Sequence, residues 1–220
     1  MIKIENTEVF GWEAAIRGMR SPMNSWSKSD SGLAVDEYNY DYFEIGDNDY
    51  KLMMKLRNAG TDHRKFMRMI MVSFDITAPL YWWKEFDTYK VGTVANSCST
   101  MHKIHAKEFA LDDFSHEHLW GEKGDRDVDE PIGILNIVID TLNFHRKEYL
   151  ESKDKECWWQ MIQLLPSSYN QRRTVVLNYE VLANMYHSRK NHKLDEWHVF
   201  CEWIESLPYS ELITGGDKNA

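Results

Sequence analysis

The stretch from Tyr89 to His102 concentrates side chains that can bind a polar ligand. Ser99, Asn96 and Lys90 supply a hydroxyl, a carboxamide and an amine, and the stretch has no periodic apolar pattern. Such groups suit a phosphate or a pyrimidine ring. The competing interpretation is a loop whose polar side chains satisfy its own backbone through local turns.

A second polar group lies between Thr174 and Lys190, where apolar residues at helical spacing predict one helix. At about 100° per residue, Asn178 and Arg189 are about 20° apart on that helix, and Asn184 lies on another face. An arginine on this face could hold a phosphate while the asparagine binds a ring amide. A solvated helix face with surface ion pairs is the alternative.

The order of these residues resembles that of the flavin-dependent thymidylate synthases. A Leu-Pro pair ends at Pro166, Asn178 follows, Asn184 comes six residues later, and Arg189 five after that. Upstream, residues 96–99 (Asn-Ser-Cys-Ser) match the Asn-Glu-x-Ser end of the family's Arg-His-Arg-x7-Ser signature. His63 resembles a histidine that precedes a strand in that family. The resemblance spans about residues 50–208.

The resemblance implies a role for each matched residue. FAD would contact Asn178, Asn184 and His63. The phosphate of a dUMP-like pyrimidine nucleotide would bind Arg189, and its base would contact Asn96, Ser99 and Lys90. Methylenetetrahydrofolate and NADPH would be co-substrates of methylation at the pyrimidine C5 position, in a homotetramer with sites between subunits.

Several basic residues of the family pattern are replaced in this chain. Tyr89-Lys90-Val91 stands where the family has Arg-His-Arg, and Met101 and Glu180 each replace an arginine. A planar guanidinium that binds phosphate through two donors is not reproduced by a single lysine. Two functions therefore stay open: a pyrimidine methyltransferase, or a noncatalytic descendant that binds a nucleotide or a protein. Whether the chain is an enzyme stays open as well.

The expected fold is α+β, with a twisted sheet packed against several helices and a helix-rich C-terminal half. We expect one domain over residues 1–220, with a disordered tail at 214–220. Strands are predicted at Ile2–Phe10 and Met67–Ile76.

Capping and periodicity predict where the helices lie. The first is capped by Asp47 or Asp49 and runs to about Leu56, and another, capped by Thr77, reaches Phe86. Further helices are predicted after Pro131, up to Leu165, from Thr174 to Lys190, and from Leu194 to Leu207. Six aromatic residues could stack on a flavin or a base, or lie in the core, but a subunit interface is the favoured interpretation: Tyr81, Trp82, Trp83, Phe86, Trp158 and Trp159.

Composition limits the remaining possibilities. A formal charge of −9 disfavours binding to nucleic acid polymers, and no apolar run reaches the length of a membrane span. Three cysteines without a CxxC pair favour the cytoplasm. The histidine pairs form no recognisable metal-binding motif, so no metal is expected.

Overall fold

The computed structural model describes residues 1–39 and 41–216. The first half contains β1 (Lys3–Phe10), α1 (Trp12–Arg20), β2 (Gly32–Val35), β3 (Asp41–Glu44), α2 (Asp47–Asn58), β4 (Met71–Pro79), α3 (Leu80–Phe86) and β5 (Val94–Ser97). The second half contains α4 (Thr100–Lys103), α5 (Pro131–Ser152), α6 (Lys155–Leu164), β6 (Asn170–Asn178), α7 (Tyr179–Arg189), α8 (Asp195–Glu205) and α9 (Glu211–Thr214). Short 3₁₀ helices lie at Ser21–Met23, Trp26–Lys28, Arg64–Met69 and Leu111–Asp113.

Four strands form one sheet in the order β1-β4-β6-β5, and β2 and β3 form an antiparallel hairpin in which Leu33 pairs with Phe43. The expected α+β class is confirmed. The expected strand at Ile2–Phe10 is confirmed as β1, but the second strand begins at Met71, because residues 64–69 form a 3₁₀ helix. Arg68 therefore does not lie on the sheet.

The chain forms two compact units, each built from separate stretches of sequence. The first unit contains Met1–Lys3, Ile76–Thr88 and Asn96–Thr174; the second contains Ile4–Asp75, Tyr89–Ala95 and the described residues from Val175 onward. One domain over the whole chain stays a prediction. Of the predicted tail, residues 217–220 lie outside the described residues, and Thr214 ends α9.

The core of the first unit forms between α5 and α6. Pro131 occupies the first turn of α5, as predicted, where its missing N–H costs no hydrogen bond. One face of α5 is buried in an apolar cluster of Ile104, Phe109, Phe114, Leu135, Ile139, Leu142 and Met161. Both helices were expected from the apolar periodicity.

No helix of the described residues combines the length and apolar character needed to cross a membrane.

The aromatic residues of α3 belong to the interior of the first unit. Trp82, Trp83 and Phe86 are at most 1% exposed, and the Trp83 indole N–H donates to the carbonyl of Gln171 at 3.0 Å. For these three residues the prediction of a subunit interface is wrong, because the chain itself covers them. For Tyr81, Trp158 and Trp159, which are partly exposed, it stays a prediction. The predicted cap of α3 is also wrong: Pro79 is the N-cap residue, and Thr77 lies in β4.

In the second unit, a buried carboxylate joins α2 to the segment that follows α1. Asp49 is fully buried; its Oδ1 accepts from Arg20 Nε at 2.5 Å, and its Oδ2 accepts from the hydroxyls of Ser29 and Ser31 at 2.6 and 2.8 Å. The N-cap residue of α2 is Gly46, and Asp30 accepts the N–H groups of Asn48 and Asp49. The predicted capping by Asp47 or Asp49 is thus replaced by capping from Asp30.

Asp49→Ala is expected to destabilise the protein strongly. Burial opposes ionisation of Asp49, but hydrogen bonds from Ser29, Ser31 and Arg20 outweigh it and lower its pKa to about 2. Removing the carboxylate leaves the Arg20 guanidinium buried without its counter-charge, so urea titration at pH 7 should show a loss of about 3–5 kcal/mol.

Asp47→Ala, at an exposed position of the same helix turn, serves as the control and should cost less than about 1 kcal/mol. The folded pKa lies below the unfolded value of 3.8. The contribution of Asp49 should therefore be complete above about pH 4 and be lost as the pH falls toward about 2. Equal losses in both variants at pH 7 would contradict this role for Asp49.

Candidate functional site

His63 lies beside an apolar cavity of the second unit. It immediately precedes the 3₁₀ helix Arg64–Met69, and its N–H donates to the carbonyl of Gly60 at 3.1 Å. The cavity measures about 750 Å³. Its apolar wall includes Met19, Met23, Leu52, Leu56, Phe66 and Met69. Its polar lining residues are Ser25, Asp62, His63, Lys65 and Arg68, so basic groups outnumber the one carboxylate among the described residues. The apolar wall suits a flat ring, and the basic groups suit an anionic group attached to it.

Glu180 forms a charged centre with two arginines of the second unit. Its carboxylate is buried; Oε1 accepts from Arg64 Nε at 3.4 Å, and Oε2 accepts from Arg68 Nε. The hydrogen bond and the charge of Glu180 raise the pKa of Arg68. Glu180, which stands where the resembled family has an arginine, therefore binds two arginines from another segment.

The two asparagines assigned to flavin have different environments. Asn178 is the last residue of β6 and the N-cap residue of α7, where its buried Oδ1 accepts the Val181 N–H at 3.1 Å. Asn184 is exposed, and its Oδ1 accepts from Arg64 at 3.3 Å. Asn184 thus lies at the same charged centre as Arg64, whereas Asn178 shapes the start of the helix.

The prediction of one helix from Thr174 to Lys190 is wrong. Residues 170–178 form β6, and α7 begins only at Tyr179. The prediction that Asn178 and Arg189 share a helix face is therefore wrong as well.

Gly92, which lies beside Asn178, could not easily be another residue. Its φ is +78°, and a Cβ there would lie 3.0 Å from Asn178 Nδ2.

Arg189 is held by two aromatic rings of the second unit. Its Nε donates to the Tyr89 hydroxyl at 2.9 Å, and the guanidinium carbon lies 4.8 Å from the centre of the Trp197 ring. Trp197 is fully buried, whereas Lys90, next to Tyr89, is exposed. Tyr89, which stands where the resembled family has the first arginine of its signature, is thus a hydrogen-bond partner of the predicted phosphate-binding residue.

Ser99 and Asn96 belong to the first unit. Ser99 is the N-cap residue of α4, where its Oγ accepts the His102 N–H at 3.1 Å, and Asn96 is an exposed residue of β5. Ser99 also lines a cavity of about 330 Å³ together with Cys98, Lys103, Lys107, Tyr169 and Arg172. Ser99 therefore caps a helix and faces a polar cavity at once.

Sequence reasoning left the partners of Glu180 unidentified. They lie more than 110 residues away in the chain, so no local spacing connects them. A signal was present, because Glu180 lies between Tyr179 and Val181-Leu182 in a largely apolar stretch, and a buried carboxylate requires a cation or several donors. Within residues 1–39 and 41–216, no group of three or more His, Cys, Asp or Glu side chains could hold a metal ion.

This architecture is the fold of the flavin-dependent thymidylate synthases. One similar structure is flavin-dependent thymidylate synthase ThyX from Helicobacter pylori, complexed with FAD and dUMP: it is 14% identical, the match covers 97% of this chain and 98% of that chain, and the TM-score is 0.67. A second structure of the same H. pylori enzyme with FAD and dUMP is also 14% identical, with 98% of each chain covered and a TM-score of 0.66.

A third similar structure is the UMP/dUMP methylase PolB from Streptomyces cacaoi, bound with 5-Br dUMP. It is 14% identical, the match covers 98% of this chain and 95% of that chain, and the TM-score is 0.59. No protein-family model matches the sequence, and no curated protein matches it. The resemblance read from the sequence is thereby confirmed for the fold.

Tyr89→Phe is expected to loosen the predicted phosphate-binding arginine. The substitution removes the hydroxyl that accepts from Arg189 and keeps the ring. Because the lost hydrogen bond involves a charged donor that is only half-buried, the free energy of unfolding should fall by about 1 kcal/mol in urea titration. Tyr38→Phe, at an exposed tyrosine, is the control and should change it by less than about 0.5 kcal/mol. Equal effects of the two substitutions would refute this role for Tyr89.

Proposed function

We propose that the protein binds FAD and a pyrimidine nucleotide and methylates the nucleotide at C5. The observation that carries the proposal is the cavity beside His63, which combines an apolar wall with basic groups. It occurs in a fold shared with proteins whose structures contain FAD and dUMP or 5-Br dUMP. We therefore take a flavin and a pyrimidine nucleotide as the candidate ligands of this protein.

The residues around the cavity fit a flavin dinucleotide. At about 750 Å³ it lies in the range of small-molecule sites, and methionine, leucine and phenylalanine side chains offer apolar contacts to a ring. Lys65 and Arg68 would hold the diphosphate, and His63 would contact the cofactor directly. We assign Asn184 and Asn178 to the same cofactor as further proposals. When bound and reduced, a flavin supplies a hydride.

The nucleotide is assigned to four residues. Arg189 would bind its phosphate, because a guanidinium offers paired donors, and its orientation is already set by Tyr89 and Trp197. Lys90, in the same unit as Arg189, would contact the pyrimidine. Asn96 and Ser99 belong to the first unit and are assigned to a pyrimidine by the resemblance alone. Methylenetetrahydrofolate and NADPH complete the proposed reaction as donors of carbon and of reducing equivalents.

A noncatalytic nucleotide-binding protein is the second candidate, and the rearranged charges support it. Arg64 and Arg68 bind Glu180, and Arg189 binds Tyr89, so three arginines contact protein groups that replace arginines of the family pattern. Such contacts reduce the positive charge available to a phosphate. This candidate retains nucleotide binding but predicts no methyl transfer.

FAD should bind the purified protein, and His63→Ala should weaken that binding at least tenfold. The reason is that His63 borders the cavity assigned to the cofactor. Quenching of flavin fluorescence on titration with protein would measure the affinity. His198→Ala, at an exposed histidine of α8, is the matched control and should leave the affinity within about twofold.

The nucleotide assignment is checked by a reciprocal variant in the same experiment. Arg189→Ala should weaken dUMP binding at least tenfold in calorimetry and leave FAD binding intact, whereas Arg17→Ala, an exposed arginine of α1, should change neither. Binding of dUMP without FAD would favour the noncatalytic candidate. Failure of the wild-type protein to bind either ligand would rule out both candidates.

We further propose a homotetramer, supported by the outer face of α5. Ile134, Ile137 and Phe144 are exposed at helical spacing, opposite the face that is buried in the core. A second copy would cover such an apolar stripe.

Light scattering should accordingly give the mass of four 26.1 kDa chains. Ile137→Glu should lower that mass by placing a charge in the stripe. Gln160→Glu, which adds the same charge at an exposed site on α6, should not. A wild-type protein with the mass of one chain would refute the assembly.

A further inference from the structure

A second large cavity of the second unit has four basic side chains among its lining residues. It measures about 1280 Å³ and lies among α2, α7 and α9. Arg57, Arg64, Lys190 and His187 line it, and Glu211 is the one carboxylate among its lining residues in the described part of the chain. In a chain with a formal charge of −9, such a local excess of cations is a feature that the global composition does not predict.

Arg57 is fixed in this cavity by the end of α9. Its Nε donates to the carbonyl of Leu212 and one of its terminal nitrogens to that of Ile213, both at 3.1 Å. The same terminal nitrogen lies 3.1 Å from His187 Nε2. Gly215 has φ +109°, and a Cβ there would lie about 3 Å from the guanidinium. The backbone thus leaves room for a cation at this position.

The basic groups of the cavity lie close enough to repel one another. Burial and the positive charge of Arg64 lower the pKa of Arg57. Burial lowers the pKa of His187, and Arg57, Lys190 and Arg64 lower it further. Arg64 is paired with the buried Glu180 carboxylate, and the lowered pKa of His187 favours its neutral form, so a bound anion would chiefly offset the charges of Arg57 and Lys190.

We propose that this cavity binds a phosphate-bearing small molecule of nucleotide size. Its phosphate groups would contact Arg64, Lys190 and His187, while Tyr50 and Met54 form the wall for its less polar part. The cavity shares no lining residue with the apolar cavity beside His63. Its Arg64 donates to Asn184, which is assigned to the flavin, so Lys190 and His187 are the groups that distinguish the two sites.

Calorimetric titration of the full chain with inorganic pyrophosphate and with ADP tests the site. Lys190→Gln should weaken pyrophosphate binding at least tenfold, because it removes a cation from the cavity. Lys190→Arg, which keeps the charge, should retain binding within about threefold. Lys193→Gln removes the same charge at an exposed position outside the cavity and should leave binding within about twofold.

The two probes distinguish the sources of the phosphate. Tighter binding of ADP supports a nucleotide, and equal binding supports recognition through the phosphates alone. His63→Ala should leave pyrophosphate binding unchanged, which separates this site from the proposed flavin site whether or not FAD binds. The proposal is overturned if neither probe binds, if Lys193→Gln weakens binding as much as Lys190→Gln, or if His63→Ala abolishes it. Unchanged circular dichroism of each variant verifies folding.

Discussion

The buried Asp49 carboxylate is the interaction on which the apolar cavity beside His63 and the larger basic cavity of the second unit depend. It joins the first turn of α2 to Arg20 and to the segment with Ser29 and Ser31. That segment contributes Met23 to the apolar cavity, and α2 lines both cavities. One network of hydrogen bonds therefore sets the position of a helix on which two separate pockets are built.

The two faces of α2 explain how one helix serves two chemically different cavities. Leu52 and Leu56 are one turn apart and line the apolar cavity. Tyr50, Met54 and Arg57 follow one another at intervals of four and three residues, about one helical turn each, and line the basic cavity. Residues two positions apart point about 200° away from each other on a helix, so the sets face in nearly opposite directions. The amphipathic pattern of α2 thus separates an apolar environment from a cationic one.

Local signals predicted much of this fold, and failures occurred where distant residues decide the outcome. Pro131 and the apolar periodicity that follows it predicted α5, since proline in the first turn and a buried stripe are both local properties. The run from Thr174 to Leu182 misled because its apolar residues satisfy both a strand and a helix; Asn178, a cap residue by type, was the overlooked boundary. The pairing of Glu180 with Arg64 and Arg68 depends on the tertiary fold. The candidate residues were therefore identifiable by type, whereas their partners were not.

The charge pattern argues for recognition of small anions over extended ones. A chain with a formal charge of −9 repels a nucleic acid polymer over most of its surface, and salt screens exposed charges beyond about 8 Å. Arg57, Arg64 and Lys190 act within a cavity, where low-dielectric walls strengthen attraction to a phosphate that enters. A nucleic acid polymer would be repelled by the acidic surface around the cavity, whereas a mononucleotide is small enough to interact with the cavity alone. The proposed anion site therefore draws its cations from α2, α7 and the 3₁₀ helix Arg64–Met69, and not from the positions at which the family that this chain resembles has arginines.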